Sequence, residues 1–187
     1  MVKEIWKPGN MLYPLPAVLV TVSDNKGNEN VFTVAWTGTV CSDPAMVYIS
    51  VRPSRYSYDM IRETGQFVIN LTTEKLAKAT DYCGVKSGRD ENKFEKMKLK
   101  TERAKYVKAP LLKDSPVNIE CEVVDITKLG THDMFLAKVL CVHADKRYMD
   151  DKGKFHLEKA HPLVYSHGQY YNTGKKIGKF GFSVKKK

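Results

Sequence analysis

The sequence contains neither a Walker A motif nor a GxGxxG placed between a strand and a helix, so any nucleotide has to be held by other means. Its four cysteines, Cys41, Cys83, Cys121 and Cys141, never form a CxxC pair. That spacing argues against zinc or iron–sulfur ligation and leaves reduced thiols, with no metal, as the expectation. No apolar run approaches the roughly 18 residues of a membrane span. The stretch from Val2 to Trp6 carries Lys3 and Glu4 and does not resemble a secretory leader. A cytoplasmic protein with no membrane partner is therefore expected. Internal repeats, linkers, basic helices and zinc-finger spacings are missing too, which removes the usual nucleic-acid modules.

What is present is material for one core. The 187 residues are 42% hydrophobic, which predicts a single domain over residues 1–187 and excludes disorder. The formal net charge of +10 is unevenly placed. Lys175, Lys176, Lys179, Lys185, Lys186 and Lys187 lie in a tail at about residues 175–187 that holds no acid, so the body before it is nearly balanced. Such a tail reads as a solvated terminus, and no nucleic-acid partner is expected.

Short apolar runs separated by turn chemistry predict a mainly β protein with a few short helices. Ala17 to Val22 and Val31 to Trp36 flank the turn-rich Ser23-Asp-Asn-Lys-Gly-Asn28 and read as a hairpin. Ala45 to Val51 fits a buried strand, Tyr58 to Thr64 a short helix stopped by Gly65, and Gln66 to Leu71 another strand. Helix formers occupy Thr73 to Thr80, ending near Gly84, and Glu91 to Met97. Val117 to Ile126 alternates with period two, placing Val117, Ile119, Cys121 and Val123 on one side. It pairs in a second hairpin with Met134 to Val142. Six or more strands favour a closed barrel over an open sandwich, because closure removes edges.

Ser50-Val-Arg-Pro-Ser-Arg-Tyr-Ser57 leaves a strand and runs into a helix. Arg52 and Arg55 can bond phosphate oxygens in forked geometry, Ser54 and Ser57 can donate hydroxyls, and the helix start adds free N–H groups. The alternative is an N-cap serine beside solvated arginines. A second loop, Gly84-Val-Lys-Ser-Gly-Arg-Asp-Glu-Asn-Lys-Phe94, has glycines that allow close backbone approach, with Ser87, Arg89 and Lys93 available to a ligand edge. Its alternative is a helix connection capped by Asp90. Thr33, Ala35 and Trp36 can pass beneath a flat ligand or belong to the core. His132 follows Gly130-Thr131 in a hairpin connection and precedes Asp133, an acid positioned in sequence to orient it. Cys83, beside the glycine loop, reads as a structural thiol unless it proves reactive. His143, His156, His161 and His167 show no metal-like spacing among themselves.

These segments in this order, together with Tyr13-Pro-Leu-Pro16, Gly65 to Asn70, Glu120-Cys121, Pro162 to Tyr165 and Lys176 to Gly181, resemble the flavin reductase-like, FMN-binding split-barrel family, and more closely its flavoredoxin-type branch. The resemblance covers about residues 10–183. It implies a split β-barrel homodimer with one FMN per subunit. The implied cofactor-binding residues are Thr33, Ala35, Trp36, Ser50, Arg52, Ser54, Arg55, Ser57, Cys83, Gly84, Ser87, Arg89, Lys93 and Tyr165, and His132 matches a histidine near the nicotinamide in related reductases. The implied activity is electron transfer from NADH or NADPH through FMN to a flavin, metal complex or redox protein. The alternatives are a flavoredoxin-type carrier without direct NAD(P)H oxidation and a non-catalytic flavin-binding module. Many relatives that supply free flavin carry Asn where Arg52 stands, so Arg52 with Arg55 implies a retained FMN.

Overall fold

The computed structural model describes residues 2–184, so Lys185, Lys186 and Lys187 of the basic tail lie outside the described residues. In chain order the strands are β1 (Leu15–Pro16), β2 (Val18–Ser23), β3 (Glu29–Val34), β4 (Thr37–Ser42), β5 (Ala45–Val51) and β6 (Gln66–Leu71). They continue with β7 (Thr101–Glu102), β8 (Leu111–Leu112), β9 (Val117–Lys128), β10 (Asp133–Ala144), β11 (Leu163–Ser166) and β12 (Gln169–Asn172). Three α-helices, α1 (Tyr56–Thr64), α2 (Ala77–Val85) and α3 (Lys93–Lys96), join them. The molecule is mainly β, as expected. None of the described helices is long and apolar enough to cross a membrane.

Both expected hairpins form. β2 pairs with β3 from Val18 opposite Val34 to Ser23 opposite Glu29, and β9 pairs with β10 across the turn that carries His132. The main sheet is antiparallel with order β3-β2-β6-β9-β10-β5-β4, and β1-β11-β12 forms a smaller one. Closure, however, does not occur: among the described residues β3 and β4 are free edges of the main sheet. The reason is local. Ala35 and Trp36 carry the chain directly from one edge to the other, with the Thr37 N–H bonded to the Ala35 carbonyl at 3.0 Å and the Ser50 N–H to the Trp36 carbonyl at 2.8 Å. This tight corner leaves β3 and β4 unpaired with each other, and a cleft opens at that split.

Val18, Val20, Val22, Phe32 and Val34 point to the main core with Ile49, Phe67, Ile69, Cys121 and Phe135, where α1 adds Tyr58, Met60 and Ile61. Leu19 and Val31 instead face a second apolar cluster with Leu76, Ala79 and Cys83. Coverage of both faces explains why all six residues of β2 are buried. The same double coverage extends to the start of β9. Ile119, Cys121 and Val123 face the main core as expected, but the opposite face is also covered, because Asn118 is buried and Glu120 is completely so. Each finds partners: the Asn118 side-chain amide donates to Asn70 Oδ1 at 2.7 Å, and Glu120 accepts N–H bonds from Lys105, Tyr106 and Val107.

Gly65 ends α1 as its position suggested, with φ of 66° and its N–H donating to the Ile61 carbonyl at 2.8 Å. Two expected caps are replaced. The N-cap of α1 is Arg55, whose side chain makes no capping bond, so neither Ser54 nor Ser57 serves there. The N-cap of α3 is Asn92 rather than Asp90, because its Oδ1 accepts from the Phe94 and Glu95 N–H groups at 3.1 and 3.4 Å.

Candidate functional site

At the split, the ends of β3 and β5, the loop into α1, the C-terminus of α2 and the β9–β10 turn surround a cleft of two adjoining lobes, of about 210 and 560 Å³. The lobes share Phe32, Thr33, Trp36, Arg52, Arg55, Gly84 and His132. Ala35, Ser50 and Tyr165 belong to the smaller lobe, and Ser54, Ser57, Cys83, Ser87, Arg89 and Lys93 to the larger. Every residue singled out from the sequence thus lines one continuous depression. Residues missed were Phe32 in both lobes, Asn30, Tyr56, Lys86 and Gly88 in the larger, and Ala17, Val34 and Val51 in the smaller. Tyr170 also lines the smaller lobe, beside Tyr165. Only Gly88 carried a local signal, a glycine in a cation-rich loop.

The two lobes differ in chemistry. Arg52, Arg55, Lys86, Arg89 and Lys93 line the larger one, and among the described residues no carboxylate does. Such cations beside the start of α1, whose N-cap side chain makes no capping bond, suit an anion. Arg55 donates to the Gly84 carbonyl at 3.3 Å, and Arg89 donates to the Ser54 carbonyl at 3.1 Å while its guanidinium lies 5.5 Å from the Tyr56 ring centre. These bonds tie the loop after α2 to the loop before α1, so the two cationic segments form one wall. Close packing makes that possible. A Cβ on Gly88 would lie 2.7 Å from Asn30 Cγ and 2.8 Å from Tyr56 Cδ1.

Ser57 is buried, and its hydroxyl accepts from the Asn30 side-chain amide at 2.7 Å, which leaves its own proton to donate. Lys93 is 2% exposed and donates to the Cys83 and Lys86 carbonyls at 3.3 and 3.1 Å, satisfying the end of α2. Burial lowers its pKa, and the Arg55 charge lowers it further while Glu91 opposes the shift. Burial pushes the Cys83 thiol up to about 11, which makes this residue a neutral wall rather than a nucleophile. Thr33 donates to the Thr80 carbonyl and holds α2 against β3.

His132 sits where the lobes meet. Burial lowers its pKa, and the Arg52 and Arg55 charges lower it further, so the imidazole is neutral at neutral pH. The expected orienting role of Asp133 is not what the structure shows. Asp133 turns inward, 4% exposed, to accept from the Tyr58 hydroxyl at 2.5 Å. Alternation along β10 sends neighbouring side chains to opposite faces, and His132 Nδ1 meets Thr131 Oγ1 at 3.0 Å instead. The smaller lobe ends in an aromatic cluster: Tyr13 lies 6.5 Å from Trp36, 6.0 Å from Tyr165 and 4.4 Å from His167 between ring centres, and Tyr165 lies 5.8 Å from Tyr170. One end of the cleft is therefore suited to an anion and the other to a flat ring.

Residues 11–174 match the family model described as flavin reductase like domain, and the chain belongs to that family. It is 34% identical over 141 residues to an uncharacterised protein of Archaeoglobus fulgidus, covering 75% of this chain and 78% of that one. Its structure superposes on the flavoredoxin of Desulfovibrio vulgaris (Miyazaki F) with a TM-score of 0.91, 27% identity and coverage of 98% of this chain and 100% of that one. A Shewanella frigidimarina protein with a split barrel domain matches at a TM-score of 0.81 and 22% identity, over 90% of this chain and 86% of that one. The fold is the split barrel expected from the sequence.

Proposed function

We propose that this protein is an FMN-dependent oxidoreductase that takes electrons from NADH or NADPH and delivers them to a flavin, metal complex or redox protein. The observation that carries this reading is the polarity of the cleft, with an arginine- and lysine-lined lobe free of carboxylates running into an aromatic lobe, and a neutral histidine at their junction. Those donors fit FMN, a planar ring carrying a phosphate. Arg52, Arg55 and Arg89, with Ser54, Ser57 and Ser87, would hold the phosphate end, while Thr33, Ala35, Trp36 and Tyr165 would border the ring. When bound, FMN supplies a ring system that accepts a hydride and passes electrons on.

The protein's own contribution is binding and orientation. Burial, and then the charges of Arg52 and Arg55 that would attract the anion, keep His132 uncharged, so the histidine presents a neutral donor and acceptor to a second ligand rather than a competing cation. No acid–base group is needed for hydride transfer, which depends on stacking and alignment. The carboxylate-free lining suits a retained phosphate, and with it a prosthetic FMN. The chain is further proposed to work as a cytoplasmic homodimer, as the family resemblance implies.

The full-length likeness to a flavoredoxin supports a second reading, an electron carrier reduced by another redox protein. One experiment separates the two. The purified protein is examined by absorbance and then mixed anaerobically with NADH and with NADPH. Bound yellow flavin that bleaches rapidly with either supports the reductase. Flavin that bleaches with dithionite alone supports the carrier. Protein that neither contains nor takes up flavin overturns both.

A further inference from the structure

On the β9–β10 ribbon, a second group of chemically capable side chains converges away from the cleft. Glu120 is completely buried on β9, and its carboxylate is fixed by N–H groups from a neighbouring loop: Lys105 at 2.9 Å to Oε1, and Tyr106 and Val107 at 2.6 and 3.0 Å to Oε2. The remaining direction on Oε1 is taken by His143 Nε2 at 2.5 Å. Cys141 completes the group: one donor atom from each of Glu120, Cys141 and His143 lies within 4.8 Å of the others.

The backbone places these residues together by a specific irregularity. Val139 stands opposite Cys121, and an unbulged strand would then set Leu140 opposite Glu120. The register instead shifts between Val139 and Cys141, so Cys141 stands opposite Glu120 and His143 opposite Asn118. This bulge moves Cys141 and His143, two residues apart, onto the face of Glu120. Without it that thiol and that imidazole would point to the other side of the sheet.

We propose that Glu120, Cys141 and His143 bind a divalent transition-metal ion of the zinc class. Thiolate, imidazole and carboxylate together suit a borderline ion and not magnesium or calcium, which prefer oxygen ligands throughout. Three protein donors leave one tetrahedral position for water, and the third-exposed His143 side chain gives the ion a route from solvent. Two ligands at zinc distances stand about 3.3 Å apart, so His143 withdraws from Glu120 by roughly 0.8 Å on binding. The backbone N–H bonds to Glu120 hold the carboxylate in place as that happens, serving as outer partners of the ligand.

The test uses the full chain as purified, reduced, stripped with a chelator and dialysed against zinc alone, with metal counted by elemental analysis and Cys141 alkylation followed by peptide mass spectrometry. One zinc per chain is expected, with alkylation of Cys141 slowed at least tenfold. Cys141→Ala and His143→Ala, both at partly exposed positions, should each weaken zinc binding at least tenfold while circular dichroism stays unchanged. Cys41→Ser, a thiol outside the group, should leave binding as it was. Absence of zinc binding, or binding of equal strength in the Cys141 and His143 variants, overturns the proposal.

Discussion

The Tyr58 hydroxyl donates to the Asp133 carboxylate at 2.5 Å inside the core, joining the helix that follows the cationic loop to the strand that follows His132. The bond lets α1 set the position of the β9–β10 turn, and so the distance between the arginines and the histidine. It also raises the Tyr58 pKa, because the carboxylate accepts from the neutral phenol. Tyr58→Phe should destabilise the fold by about 1–3 kcal/mol, since a buried carboxylate is left without its partner. Urea unfolding measures this as a lower midpoint at unchanged slope. A midpoint equal to that of the parent would mean that Asp133 has found water or another donor.

Arg52→Ala should weaken FMN binding by about 1.5–3 kcal/mol, roughly tenfold to somewhat over a hundredfold, the scale of a charged hydrogen bond. Fluorescence titration of FMN into flavin-free protein gives the number directly. An unchanged dissociation constant removes Arg52 from the phosphate end.

The histidine at the junction has a pH signature whose sign follows from its surroundings. Burial and then the Arg52 and Arg55 charges lower the His132 pKa beneath its ordinary 6.5. Its neutral form is therefore the folded form at neutral pH, and the stability linked to it falls as pH drops through 6.5, where the unfolded chain takes up the proton first. Histidine NMR titration should show His132 with a midpoint below 6.5 that moves upward in Arg52→Ala.

Replacing the same residue with alanine tests the proposed donor site. His132→Ala should slow flavin reduction by NADH or NADPH while leaving the flavin content intact. Stopped-flow absorbance reports the rate, and equal rates in the two proteins would return His132 to a passive surface position.

Gly88→Ala forces a methyl group against Asn30 and Tyr56, both part of the cationic wall. Overpacking of this kind costs about 1–3 kcal/mol, and the loop relieves it by moving outward. Flavin retention after gel filtration should drop, and the thermal midpoint should fall by about 2–4 °C per kcal/mol of that cost.

The strands were readable in large part because their physics is local. β-branched and aromatic runs between turn residues announce β2, β3, β5, β6, β9 and β10, and Gly65 marks the end of α1 because few other residues accept its backbone conformation cheaply. β4 was missed. Its Thr37-Gly-Thr-Val-Cys-Ser42 is largely solvated on a sheet edge and carries no alternation to detect. The cationic loops were readable as well, since arginines and serines at a strand-to-helix junction suit an anion whatever surrounds them.

Local pattern alone was enough for a mainly β chain with two hairpins, a glycine-stopped helix and two cation-rich loops. Tertiary structure decided what each polar side chain finally touches. Asp133 points to Tyr58 and not to its neighbour His132, Ser57 pairs with Asn30 rather than capping α1, and Cys141 shares a face with Glu120. Those outcomes join positions far apart in the chain, and they turn on sheet register, one bulge and the unpaired edges at Ala35 and Trp36. A shift of a single residue in register reverses the face on which a side chain emerges, so no reading of neighbours along the chain could have chosen among them.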